Sequence, residues 1–270
     1  MHGLGNDFVV IDGRSDGFFS SGPSASEQSA FAKTICDRRT GIGADGVLVL
    51  LQGSKQLQML ILNSDGSEAA MCGNGVRCFA LFMDDLGLVV NKSATIEVAG
   101  ANIDFQILGP EIVKVGMGMA ALNRGQIGMT GDPPSRFIEQ RVDKYVGTAI
   151  SMGNPHLVIF VDSLEDVDLA VEGPRLEVNS LFPDRVNVHF VQVIRPDRLR
   201  MRTWERGAGA TLACGTGASA SVHAGVCTGR AEPKATVELP GGELVIEISK
   251  DGNTWMTGPA KRVFSGEWSA

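Results

Sequence analysis

The chain has 270 residues, 43% of them hydrophobic and 20% charged, a balance that supports packed cores and gives no compositional case for disorder. Lysine plus arginine at 24 against aspartate plus glutamate at 31 leaves a net charge of -7 without a basic block, which argues against a nucleic-acid partner. No apolar run approaches the roughly 18 to 20 residues of a membrane span, the opening MHGLGNDFVVID lacks the layout of an export signal, and five cysteines, an odd number, do not form a secreted disulfide framework.

The length fits one large domain or two of ordinary size, and two is the working expectation. The 34 glycines cluster in short motifs that read as tight turns at strand ends. A first strand is predicted at residues 8–11. Ser24 with Glu27 three residues on makes a capping box, and a helix follows to about Arg38. Strands are predicted at 47–51 and 57–62. The segment after Cys72 is helical, with Val76, Phe79, Ala80 and Met83 on one side. Residues 94–118 read as two or three strands turning at Gly100 and Gly109, and TGDPPSRF at 130–137 is the most linker-like stretch. A domain boundary is expected near 119–135.

The second half repeats the first. GNDFVVID at 5–12 is echoed by GNPHLVIF at 153–160, and LILNSDGSEAAMCGNGVRCFA at 60–80 by MRTWERGAGATLACGTGASAS at 201–221. Asn63 stands nine residues before Cys72 and Glu205 nine before Cys214, and each cysteine is followed by glycines one and three positions on. One CGxG match carries little weight; two at the same distance from a polar strand-ending residue predict two similar α+β halves facing each other across a cleft.

Both cysteines open a helix, where unpaired N–H groups and the positive dipole end lower a thiol pKa and hold a carboxylate. Two such thiols approaching one carbon from opposite sides suit proton removal on one face and delivery on the other, with one thiolate and one thiol. Other readings compete for the same residues. Cys36, Cys78 and Cys227 lie within helical patterns and read as small buried hydrophobes. A metal at Cys72 and Cys78 has no Cys-x2-Cys or His pair beside it. A Cys72–Cys214 disulfide would also demand proximity and is compatible with an enzyme whose empty site oxidises. Neither HGLGND nor CGNGVRC has nucleotide-binding spacing.

HGLGNDF, GIGADG, NSDGSEAAMCGNGVRCFA, SMGNPH, FPDRVNVHF, ERGAGATLACGTGA and LPGGELVIE together resemble the diaminopimelate epimerase family, in that family's order, from residue 2 to about residue 260. The resemblance implies a pyridoxal-phosphate-independent isomerase, with no cofactor, interconverting LL- and meso-diaminopimelate on the route to lysine. Its implied fold is α+β: two pseudo-symmetric halves, each a β-barrel-like sheet around a central helix. The halves are expected at 1–119, joined by a returning strand at 258–270, and at 120–257. Carried over by motif, Cys72 and Cys214 are the acid/base pair, and Gly73, Asn74, Gly215 and Thr216 supply N–H groups to the reacting carboxylate. Asn6, Asn63, Asn154, Asn187, Glu205 and Arg206 face the substrate, and His156 and Glu205 tune the thiols. Taken alone, each asparagine reads as a turn residue and His156, after Pro155, as a capped loop residue.

Gly46 departs from the glutamine that many bacterial members carry there, so no side chain binds from that position. The chain also starts at Met1, where relatives usually have a few strand residues before HGLGNDF. The family implies a small-molecule partner, neither nucleic acid nor membrane, and is compatible with a homodimer, in the cytoplasm or, in a plant or alga, the plastid stroma. A racemase of another small amino or imino acid fits ERGAGAT and the asparagine set less well. A non-catalytic amino-acid-binding protein would have no reason for two thiols across its ligand, and a thiol redox protein would carry Cys-x-x-Cys.

Overall fold

A computed structural model describes residues 1–15, 17–69 and 71–268. The chain forms two compact units: Met1–Val115 with the chain from Gly258 onward, and Gly116–Thr257. Among the described residues no helix is long and apolar enough to cross a membrane.

The N-terminal unit opens with β1 (His2–Gly3) and β2 (Asn6–Asp12), then α1 (Ala25–Cys36), β3 (Gly46–Gln52), β4 (Leu57–Asn63), α2 (Gly73–Asp85), β5 (Ser93–Val98), β6 (Ala101–Gly109) and β7 (Ile112–Met119). The predicted capping box is present: Ser24 Oγ accepts from Glu27 N and the Glu27 carboxylate from Ser24 N. β2 pairs parallel with β3, β3 antiparallel with β4, β4 parallel with β5, and β5, β6 and β7 antiparallel in turn. The turn between β5 and β6 places Ala99 and Gly100 at φ 47° and 81°, the left-handed region that glycine tolerates best. The α2 face predicted from spacing is buried, with Val76, Phe79, Ala80 and Met83 at most 1% exposed.

The second unit contains α3 (Arg124–Ile127), β8 (Gln140–Val142), β9 (Tyr145–Ser151), β10 (Pro155–Phe160), α4 (Leu169–Glu177), β11 (Asn187–Arg195), β12 (Arg198–Glu205), β13 (Gly209–Thr211), α5 (Gly215–Cys227), β14 (Lys234–Leu239), β15 (Gly242–Ile248) and β16 (Asn253–Pro259). Its pairing sequence repeats that of the first unit: β10 parallel to β11, β11 antiparallel to β12, β12 parallel to β14, then β14, β15 and β16 antiparallel. The halves are therefore pseudo-symmetric, and the registers align position by position. Phe8 opposite Gly46 corresponds to His156 opposite Asn187, and Leu48 opposite Ile61 corresponds to His189 opposite Thr203. α5 is the central helix of this unit, packed against β9, β10, β11, β12, β14 and β15. Its glycine, alanine and serine face is what lets strands approach it from several sides.

Three expectations change. TGDPPSRF is no linker: Gly125 N donates to Pro133 O and Arg124 N to Ser135 O, and Phe137 joins Ile127, Leu157 and Phe190 in the core. Prolines mark a turn that packs as readily as one that hangs free. The predicted strand at 258–270 is strand only through Pro259; beyond that, Ala260 N donates to Glu111 O and Lys261 makes an isolated bridge to His2. Positions 269 and 270 lie outside the described residues. Cys227, read as buried, is exposed at the last position of α5, where the apolar face has run out.

Candidate active site

Each unit builds a polar cluster where its central helix begins. Cys72 is the N-cap of α2, with extended backbone at φ -145° and ψ 102°, and its Sγ accepts from Gly75 N at 3.4 Å. Its thiol reaches Asn6 Oδ1 at 3.7 Å, and that oxygen also accepts from Asn74 Nδ2 at 3.3 Å. Asn6 Nδ2 donates to Asp45 Oδ2 at 2.8 Å, while Arg38 bridges Asp45 and Asp7. Behind this cluster the fully buried Arg77 donates to Asn74 Oδ1 at 2.9 Å and to the Pro259 carbonyl at 3.0 Å. Loss of water at this site lowers the Arg77 pKa to about 10, so it stays a cation at neutral pH. A donor-only guanidinium at one end and an acceptor-only carboxylate at the other set the sense of both amides.

Cys214 is the N-cap of α5, at φ -126° and ψ 105°. Its Sγ lies 3.6 Å from Thr216 Oγ1, and the Glu205 carboxylate, which accepts from Thr211 Oγ1 at 2.5 Å, acts on its thiol. Helix-start position alone would lower this thiol pKa. Burial, followed by the Glu205 charge and its hydrogen bond, instead raises it well above the ordinary cysteine value. Cys214 therefore rests as a thiol. Burial pushes Cys36 and Cys78 up in the same direction, to about 11 and about 12.

Of the other residues singled out from sequence, Asn187 is held at both ends, donating from Nδ2 to Pro155 O at 2.9 Å and accepting at Oδ1 from Arg206 N at 3.0 Å. The Arg206 guanidinium donates to Asp184 O at 3.0 Å. Asn63, at the end of β4, donates to Ser67 Oγ at 2.9 Å and so belongs to the following turn. His156 is a strand residue, wholly buried in β10, and bonds Asn154 and His189. Gly46 is tight: a Cβ there would lie 2.6 Å from Leu62 O, so this backbone has no room for a glutamine.

The model of the family described as diaminopimelate epimerase matches residues 1–123 and 148–263. This chain belongs to the diaminopimelate epimerase family. A diaminopimelate epimerase from Gloeothece citriformis is 47% identical over 275 residues, covering 98% of this chain and 96% of its own. One from Synechococcus sp. strain JA-2-3B'a(2-13) is 49% identical over 278 residues, covering 98% and 95%. Among solved structures, a hydroxyproline epimerase from Agrobacterium vitis superposes with a TM-score of 0.63 at 15% identity, covering 96% of this chain and 86% of that one. That likeness is one of fold.

Within this family framework, motif reading passed over Arg77, Asp45, His189 and Thr203. Arg77 stands inside CGNGVRC and His189 inside FPDRVNVHF, two residues after Asn187 and hence on the same strand face. That spacing was the available signal.

Proposed function

We propose that the chain interconverts LL- and meso-diaminopimelate without pyridoxal phosphate, using Cys72 and Cys214 as the two acid/base groups. The observation that supports this best is the occurrence of both thiols as N-caps of the pseudo-symmetric central helices, in a chain of this family. Inversion at one carbon calls for two groups on opposite faces, so the mechanism requires both helix starts to engage one substrate. In one direction a thiolate takes the α-proton and the opposing thiol returns a proton to the other face; in reverse the two exchange roles. Because Cys214 rests protonated against Glu205, it starts as the acid and becomes a base only after its proton has left.

The carbanion formed without an electron-sink cofactor is stabilised through its carboxylate, and N–H groups of Gly73, Asn74, Gly215 and Thr216 are the fixed donors on offer. Asn6, Asn63, Asn154, Asn187, Glu205 and Arg206 are assigned to the substrate's two ammonium-carboxylate ends. Glu205 tunes Cys214 directly, whereas His156, bonded elsewhere, acts through Asn154. A homodimer in the cytoplasm, or in the plastid stroma of a plant or alga, completes the proposal.

The test incubates reduced protein with LL-diaminopimelate in deuterium oxide, without pyridoxal phosphate. Deuterium should enter the meso product with little early label in unreacted substrate. If no α-proton is lost while the thiols titrate as free, diaminopimelate is the wrong substrate.

A further inference from the structure

Four buried or half-buried polar groups in the second unit form an unbranched chain. Thr203 Oγ1 lies 3.0 Å from His189 Nδ1, His189 Nε2 lies 2.8 Å from His156 Nδ1, and His156 Nε2 lies 2.8 Å from Asn154 Oδ1. Both rings are 0% exposed and Thr203 is 2% exposed. Each contact needs one donor and one acceptor, so the whole chain points one way or the other. If Thr203 accepted, its buried hydroxyl proton would have no acceptor among the described residues. If Thr203 donates, every buried group is satisfied. His189 then carries its proton on Nε2, His156 carries its proton on Nε2, and Asn154 presents its carbonyl oxygen inward. The end left over is the Asn154 amino group, on a half-buried residue.

Pseudo-symmetry supplies the control. The positions matching His156, His189 and Thr203 in the first unit are Phe8, Leu48 and Ile61, buried and apolar. The same strands and the same central helix thus form without a hydrogen-bonded relay, so the fold does not require one. The helix contact is also shared. Leu48 Cδ2 lies 3.1 Å from where a Cβ on Gly75 would be, and His189 Cε1 lies 2.3 Å from that of Gly217. His189 is therefore pressed against the first turn of α5, the turn that Cys214 caps.

We infer that His189 is a positioning residue, which locks His156 as its Nε2–H tautomer, turns the Asn154 amino group outward as a donor, and seats the turn that carries Cys214. The inference rests on the proposed reading of Asn154 and Cys214 as site residues. Burial supports it by lowering the pKa of both rings, His189 to about 3, with His156 pushed down further by His189 and Arg206. Burial therefore favours the neutral form of both rings at pH 7.

The decisive measurement is long-range 1H–15N correlation of the imidazoles in the intact, ligand-free protein from about pH 5 to about pH 9, the window in which an ordinary histidine titrates. Both rings should stay neutral, with the proton on Nε2 and no titration. His189→Leu, which installs the residue used by the other unit, should leave His156 with a mixed tautomer and reduce kcat/KM for diaminopimelate by about 100-fold, the scale expected of a misplaced site group. His189→Gln, which keeps an N–H donor at similar reach, should restore the single tautomer and most of the activity. A proton on His156 Nδ1 in the unmodified protein, titration of either ring in that window, or unchanged kcat/KM in His189→Leu would overturn the inference. Should His189→Leu fail to fold, the spectrum of the unmodified protein still decides. If that spectrum is as expected but diaminopimelate is not turned over, the relay stands and the functional reading falls.

Discussion

The two units share one strand path and one cysteine motif, yet surround their thiols differently. Cys72 sits against the neutral amide of Asn6, with Arg77 buried behind Asn74. Cys214 sits against the carboxylate of Glu205, at the position matching Asn63, with a histidine pair nearby where the first unit has phenylalanine and leucine. Strand pairing needs only apolar side chains of suitable size at those positions, so duplicated halves can diverge there without losing the fold. The pair is thereby differentiated: one unit supplies a buried cation, the other a thiol kept protonated by burial and, after it, by the Glu205 carboxylate.

Acid should separate the units most sharply. Three of the four histidines, His156, His189 and His223, belong to the second unit, and burial holds all three below the ordinary value of 6.5, His189 at about 3 and His223 at about 4. Between those values and 6.5 the unfolded chain binds protons that the folded unit refuses, so stability is lost as pH falls through that window. Each such histidine contributes up to about 1.4 kcal/mol per pH unit. Hydrogen exchange at about pH 5 should therefore show the second unit opening first, since carboxylate pairs in either unit respond only nearer pH 4. Equal protection in both units would remove the distinction.

Cys72→Ser and Cys214→Ser should each fold and each lose about 10³-fold in turnover in both directions, within the range general acid–base groups supply. Retention of a sizeable fraction by either variant would break the two-thiol comparison. Glu205→Gln sharpens it. With the charge gone, the Cys214 pKa moves down, so iodoacetamide should alkylate that thiol faster at mildly alkaline pH, while turnover falls about 100-fold. Slower alkylation would show that Glu205 does not hold the proton. The smallest contrast is in the helix glycines. Gly217→Ala meets the His189 ring and should cost about 1 to 3 kcal/mol by thermal unfolding. Gly75→Ala meets the flexible end of Leu48 at 3.1 Å and only ordinary contact with Cys72 Cβ and Sγ at 3.5 Å, and gains helix propensity of about 1 kcal/mol, leaving it near neutral.

Much of this was legible in the linear order of residues. The internal repeat, both helix starts and the buried face of α2 follow from spacing, because helix periodicity and N-cap chemistry act over a few residues. The Ser24 capping box is legible for the same reason. The motifs marked His156 as a residue that tunes the thiols but missed His189, because the contact between the two rings joins strands 33 residues apart. Arg77 was hidden likewise, since a lone arginine in a helix usually points to water.

By itself, the sequence determined the family, the twofold repeat and the two thiols at helix starts, since each is carried by local pattern. Only tertiary structure decided the protonation of Cys214, the burial of Arg77, the tightness at Gly46 and the direction of the histidine relay. Each depends on desolvation and on partners from distant strands, and neither is encoded in residue spacing.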